Sequence, residues 1–174
     1  MTKPLSAQGL TRRQLLSRAS AAGTAFVIGA GFIAAPGAVW AYETAHLDPA
    51  AFASLVQMAR DIYPHDRIPD ENYAIAVKGY DSAEAAPEIA AGIAALDQAA
   101  TDQGFASYLD AGWERERALI LRSIEESPFF QQIRAGLVTG LYNQKSVWPV
   151  FGYEGESYSK GGYIDRGFDD INWL

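Results

Sequence analysis

The sequence contains no cysteine. That excludes disulfides, thiol nucleophiles, thiolate-held iron–sulfur clusters and haem attached through a cysteine pair. Histidine is nearly as scarce, at two residues in 174, so a histidine-rich metal centre is not expected. Positive charge is also short: 14 Lys and Arg stand against 21 Asp and Glu, a net charge of −7. A nucleic-acid binder needs a basic footprint to displace counterions, so the balance argues against that class of partner. The Gly-x-Gly-x-x-Gly dinucleotide fingerprint, a phosphate loop and the Gly-x-Ser-x-Gly nucleophile elbow are missing. No stretch alternates with period two for long enough to make a convincing strand. What remains is 49% apolar and 20% charged, a composition neither disordered nor lipid-soluble throughout, at a length suited to one domain.

The little positive charge there is lies unevenly. Residues 1–41 hold Lys3, Arg12, Arg13 and Arg18 and no acid, which leaves 10 basic against 21 acidic residues, net −11, for residues 42–174. Residues 19–42 are uncharged, with a modestly apolar centre from Ala25 to Ile33. Pro36 and Gly37 break that run, and Val39-Trp40-Ala41 places small residues where a signal peptidase reads them. Just upstream, Thr11-Arg12-Arg13-Gln14-Leu15-Leu16 matches a twin-arginine motif, two arginines ahead of an apolar pair. A membrane anchor needs about 20 strongly apolar residues, whereas this stretch is diluted by glycine, alanine and proline. Residues 1–41 therefore read as a twin-arginine export signal, with Arg12, Arg13, Leu15, Leu16 and Ala41 as its signature and the periplasm as its destination. That route carries proteins already folded, usually around a cofactor, so the body should hold a cofactor site or travel with a chain that does.

The body, residues 42–143, reads as helical. Asp48-Pro49 is a capping carboxylate followed by proline at the first helical position. Phe52, Leu55, Val56, Ala59, Ile62 and Tyr63 follow at helical spacing until Pro64. A second helix is expected from Asp70 to Tyr80, with Tyr73, Ala74 and Val77 on one side. Pro87 opens a third, striped by Ile89, Ile93, Leu96 and Ala100 and ended by Gly104. The fourth runs from Trp113 to Glu125, where Glu114, Arg117 and Glu116 are spaced as surface pairs. Ser127-Pro128 repeats the cap-then-proline start for a fifth, carrying Phe130, Ile133, Leu137 and Leu141. The expectation is an all-α bundle of four or five short helices.

Residues 144–174 have a different character. Eight of the 21 aromatics (Tyr142, Trp148, Phe151, Tyr153, Tyr158, Tyr163, Phe168, Trp173) fall in the final 33 residues, among five glycines and without period. An irregular segment of this length is usually functional or a linker, and this one is too aromatic for a linker. It either closes the body's own core or drapes over a partner; a small domain has little interior for eight rings, which favours the partner.

Catalytic patterns are thin. Tyr63-Pro64-His65-Asp66 sets a histidine beside an acid in an interhelical loop, a pattern that is more often structural than a general base. Glu154, Glu156, Asp165, Asp169 and Asp170 could gather around calcium, but their spacing matches no EF-hand loop. No catalytic or metal-ligating set is assigned.

The chain resembles the gluconate 2-dehydrogenase small-subunit (subunit 3) family. The resemblance runs through Leu55 to Pro69, centred on Ile62-Tyr63-Pro64-His65-Asp66, then Tyr73, Phe129-Phe130 and Gly140-Leu141-Tyr142-Asn143. It is densest in the tail: Val147-Trp148-Pro149-Val150-Phe151-Gly152-Tyr153, Gly161-Gly162-Tyr163-Ile164 and Gly167 to Leu174. Ser82 to Ala100 offers little to match. The resemblance implies a non-catalytic subunit without a cofactor of its own. Its partner would be a large FAD-binding dehydrogenase of the glucose–methanol–choline type, lacking an export signal and leaving the cytoplasm bound to the small chain. That partner would oxidise a sugar, sugar acid or polyol and pass electrons to a c-type cytochrome or quinone. Trp148, Phe151, Tyr153, Tyr163, Phe168 and Trp173 would anchor the partner, and the twin-arginine translocase would read the leader. The competing expectations are a self-standing periplasmic protein using His65, Asp66 and tail aromatics on a carbohydrate, and a membrane-tethered scaffold that keeps residues 19–41.

Overall fold

The computed structural model describes residues 27–29, 32–34, 41–166 and 168. Among them five α-helices build an all-α body: α1 (Pro49–Ile62), α2 (Asp70–Val77), α3 (Ala86–Asp102), α4 (Glu114–Ser123) and α5 (Pro128–Tyr142). Their starts follow local chemistry. The Asp48 carboxylate accepts from the Ala50 N–H at 2.9 Å ahead of Pro49, and the Ser127 hydroxyl accepts from the Phe130 N–H at 3.2 Å ahead of Pro128. Each cap satisfies a donor that the first turn leaves free. The α3 helix closes where Gly104 takes φ +92°, a left-handed setting that suits glycine.

Helix α1 is the centre of the body. Eight consecutive residues, Phe52 to Ala59, are buried, so the expected stripe widens until the helix is enclosed all round. The other helices wrap it with the faces their spacing marked: Tyr73, Ala74 and Val77 from α2; Ile89, Ile93, Leu96 and Ala100 from α3; Ile133, Leu137 and Leu141 from α5. Helix α2 stops at Val77 and runs on as a tight 3-10 turn, Lys78–Tyr80.

Two features depart from the sequence reading. Arg117 is buried, not on the surface with Glu114; it sits on the inner face of α4 with Ile120 and Leu121 and pairs across the bundle with Asp61. There are also three three-residue strands, β1 (Val27–Gly29), β2 (Phe32–Ala34) and β3 (Ala41–Glu43), forming an antiparallel meander in that order. Such strands are too short to register as alternation. Among the described residues no helix is long and apolar enough to cross a membrane.

Candidate functional site

The chain turns sharply after α1 because Pro64 cannot continue the helix. The turn carries His65 to α5, where its Nε2 and the Tyr142 hydroxyl share a hydrogen bond of 2.7 Å. Burial, with Tyr63 nearby, holds the Tyr142 phenol above its ordinary pKa, so it stays protonated at neutral pH. Tyr63 meets Tyr142 edge-on at 5.7 Å, and the Tyr73 hydroxyl donates to the Tyr63 carbonyl at 2.6 Å. Burial pushes the Tyr73 phenol up to about 12.

Beside this cluster a cleft of about 310 Å3 opens between the end of α1, the loop and the start of α4, lined by Arg60, Asp61, His65, Asp66, Trp113 and Arg117 among others. Its floor is a fixed ionic pair. Arg117 donates to both oxygens of Asp61, from Nε at 2.7 Å and Nη2 at 3.1 Å, and from Nη1 to the Ala111 carbonyl at 3.0 Å. Tyr108 donates to the same carboxylate at 2.6 Å and Gln57 at 3.0 Å. Burial opposes the Arg117 charge, but Asp61 outweighs it and raises the guanidinium pKa. Burial, then Asp61, pushes the Tyr108 phenol well above its usual value. At the rim the Trp113 indole is 73% exposed.

The C-terminal segment leaves α5 and returns against this end of the body. Val147 is buried, and the Trp148 indole N–H donates to the Tyr142 carbonyl at 2.9 Å, so Trp148 latches the segment to the last turn of α5. A 3-10 turn, Trp148–Phe151, ends at Gly152 with φ +71°. It sets the Phe151 ring edge-on to His65 at 5.2 Å and within 5.7 Å of Tyr142. A second turn, Ser157–Lys160, is tied back by Lys160 and Arg166, which both donate to the Glu154 carboxylate. Those two cations lower the Glu154 pKa, the Lys160 hydrogen bond most. Phe151, Tyr153, Tyr163 and Arg166 line a groove of about 290 Å3 between the turns. The rings are left in solvent: Tyr158 at 93% exposure, Phe168 at 76%, Tyr163 at 62%, and Phe151 and Tyr153 at about half.

The structure thus brings Trp148, Phe151, Tyr153 and Tyr163 to one end of the molecule, with Trp148 half-buried as a latch and the others exposed. Phe168 is exposed; Trp173, Asp169 and Asp170 lie outside the described residues, as do Arg12, Arg13, Leu15 and Leu16. Ala41 opens β3 and is exposed. His65 touches Tyr142 and Phe151 rather than a carboxylate, and Asp66 is exposed beside it. Among the described residues no group of three or more His, Asp or Glu side chains converges as a metal site would. The Asp61–Arg117 floor and the Trp113 rim were not legible beforehand. An aromatic just outside the apolar stripe of a polar helix was the only signal for Trp113.

Fold and site define a small all-α domain with a solvent-exposed aromatic extension. No family model, curated protein or solved structure matches the chain.

Proposed function

We propose that the chain is a non-catalytic small subunit that binds and stabilises a large FAD-dependent sugar, sugar-acid or polyol dehydrogenase. It carries that partner through the twin-arginine route to the periplasm, where the partner's electrons would pass to a c-type cytochrome or to quinone. The observation behind this reading is the run of exposed rings on the tail, Phe151, Tyr153, Tyr158, Tyr163 and Phe168. Phe151, Tyr153 and Tyr163 line one groove; clustered exposed apolar surface marks contact sites, and aromatic anchors concentrate interface energy. Phe151, Tyr153, Tyr158 and Tyr163 sit on a backbone braced by turns and ion pairs, which lowers the entropic cost of presenting them. The chain supplies the address and the contact surface; the flavin and the chemistry belong to the partner.

A pull-down from the periplasm with this chain as bait, followed by an absorption spectrum of the eluate, tests the proposal. The expected result is a co-purifying larger protein with flavin absorption, retained less well by Tyr163→Ala. Truncation of such an anchor costs about 2 kcal/mol, roughly thirtyfold in affinity. A single small colourless species would overturn it.

A second reading, a self-standing periplasmic carbohydrate binder or enzyme, is favoured by the exposed Trp113 face above a polar cleft beside His65 and Asp66. Tryptophan fluorescence of the isolated chain titrated with sugars separates the two: saturable quenching supports the cleft, and none supports the subunit.

A further inference from the structure

The Asp81 side chain does something that neither the aromatic extension nor the cleft requires. It lies just after the turn that follows α2, buried at 7% exposure, and points at the segment that enters the body. Its carboxylate accepts three successive backbone N–H groups: Ala45 at 2.7 Å, His46 at 2.8 Å and Leu47 at 2.7 Å. The Tyr42 hydroxyl donates to the same carboxylate at 3.3 Å. The Tyr42 ring stacks on the fully buried Phe52 ring, 4.5 Å between centroids and 15° from parallel. A run of backbone N–H groups around one oxyanion is a nest, normally used to hold a ligand anion. Here the anion is the protein's own, so the nest grips the chain.

The grip falls immediately after the expected leader boundary. Ala41 and Tyr42 are the first two residues of β3, where Ala41 pairs with Ala34 and Tyr42 with Ile33 of β2. The β1 and β2 strands lie beside α1. Proteases take their substrates as extended chains pairing with the enzyme, so a bond already committed to a ladder and flanked by a clamp is a poor substrate until it opens. We propose that Asp81 and Phe52 clamp the leader–body junction, shield the Ala41–Tyr42 peptide bond from the processing peptidase, and so make leader removal wait on local opening of the β3 segment. Cleavage takes up one water, leaving a carboxylate on Ala41 and an ammonium group on Tyr42. Because Phe52 and Asp81 both belong to the body, the new N-terminus stays docked after the leader departs. The inference rests on the export-signal reading of residues 1–41.

The test uses the purified full chain, wild type, Asp81→Ala and Tyr42→Ala. Each is incubated with a leader peptidase in detergent micelles and, separately, with a broad-specificity protease, and cleavage is followed by intact mass. Losing several charge-assisted hydrogen bonds should speed cleavage at Ala41–Tyr42 and within residues 42–47 at least about tenfold, with helical circular dichroism unchanged. Equal rates for wild type and Asp81→Ala would overturn the proposal. If Asp81→Ala loses helix, Tyr42→Ala, which keeps the three backbone bonds, decides it by the same criterion. Absence of any cut after Ala41 by the leader peptidase, with the protease difference intact, removes the leader reading and the processing role with it.

Discussion

Removing the Arg117 guanidinium would leave the Asp61 carboxylate, 4% exposed, facing Tyr108 and Gln57 with no cation against it. Buried pairs add little over an apolar substitute, but halving one is costly because the survivor keeps its charge without water. Arg117→Met should therefore lower unfolding free energy by about 3–5 kcal/mol, read from the urea midpoint at constant slope. The double variant Asp61→Asn with Arg117→Met should recover part of that loss, since no unpaired ion remains. Equal losses in the single and double variants would mean that packing of the Arg117 stem, not its charge, holds α4 in place. Spacing along α4 suggests Glu114 as the partner, yet the pair forms across 56 residues, a separation no local pattern reports.

Gly140 places the same question between elements. It lies where α5 crosses α2, and a Cβ there would stand 2.8 Å from the Ala76 backbone carbonyl oxygen. Alanine gains about 1 kcal/mol of helix propensity over glycine, but overpacking against backbone costs about 1–3 kcal/mol. Gly140→Ala should come out destabilising by up to about 2 kcal/mol in thermal unfolding; a rise in Tm would show that the two helices can part. Helix starts at Asp48 and Ser127 and the stripes on α2, α3 and α5 were legible in the sequence because caps and periods act within a few residues. The enclosure of α1, the Arg117 pair and the Asp81 clamp were not, since each depends on which distant segment arrives. Burial alone would raise the Asp81 carboxyl, but the Ala45, Leu47 and His46 N–H groups, with the Tyr42 hydroxyl, hold it below its usual value. A depressed folded-state pKa means its contribution is complete above the unfolded value of about 3.9 and is lost as pH falls through the lower folded value. Exchange protection of the Ala45, His46 and Leu47 amides should thus be unchanged from about pH 7 to 5 and vanish in stronger acid. Loss already at pH 5 would assign the protection to another group.

Across the whole molecule, what stabilises the fold and what is offered to solvent separate along the chain. Among the described residues the core and the side chains packed on it end at Val150, while three of the four most exposed rings, Tyr158, Tyr163 and Phe168, come later, Trp113 at the rim of the cleft being the exception. Beyond Gly152 the segment is held mainly to itself, by the Glu154 contacts to Lys160 and Arg166 and by the edge of Tyr153 against Trp148. Surface ion pairs of that kind contribute about 0–1 kcal/mol. A chain ending at Gly152 keeps the Trp148 latch and every core contact, so its Tm should fall by less than about 4 °C, the shift that ~1 kcal/mol produces at this size. The same chain should retain the flavoprotein poorly in a pull-down, because Tyr153, Tyr158, Tyr163 and Phe168 are gone and Phe151 alone of the exposed tail rings remains. A drop in Tm beyond about 10 °C would make the segment part of the body's own fold. Retained capture at an unchanged Tm would instead move the docking surface onto the helices, where Trp113 at the rim of the cleft is the next exposed ring to substitute.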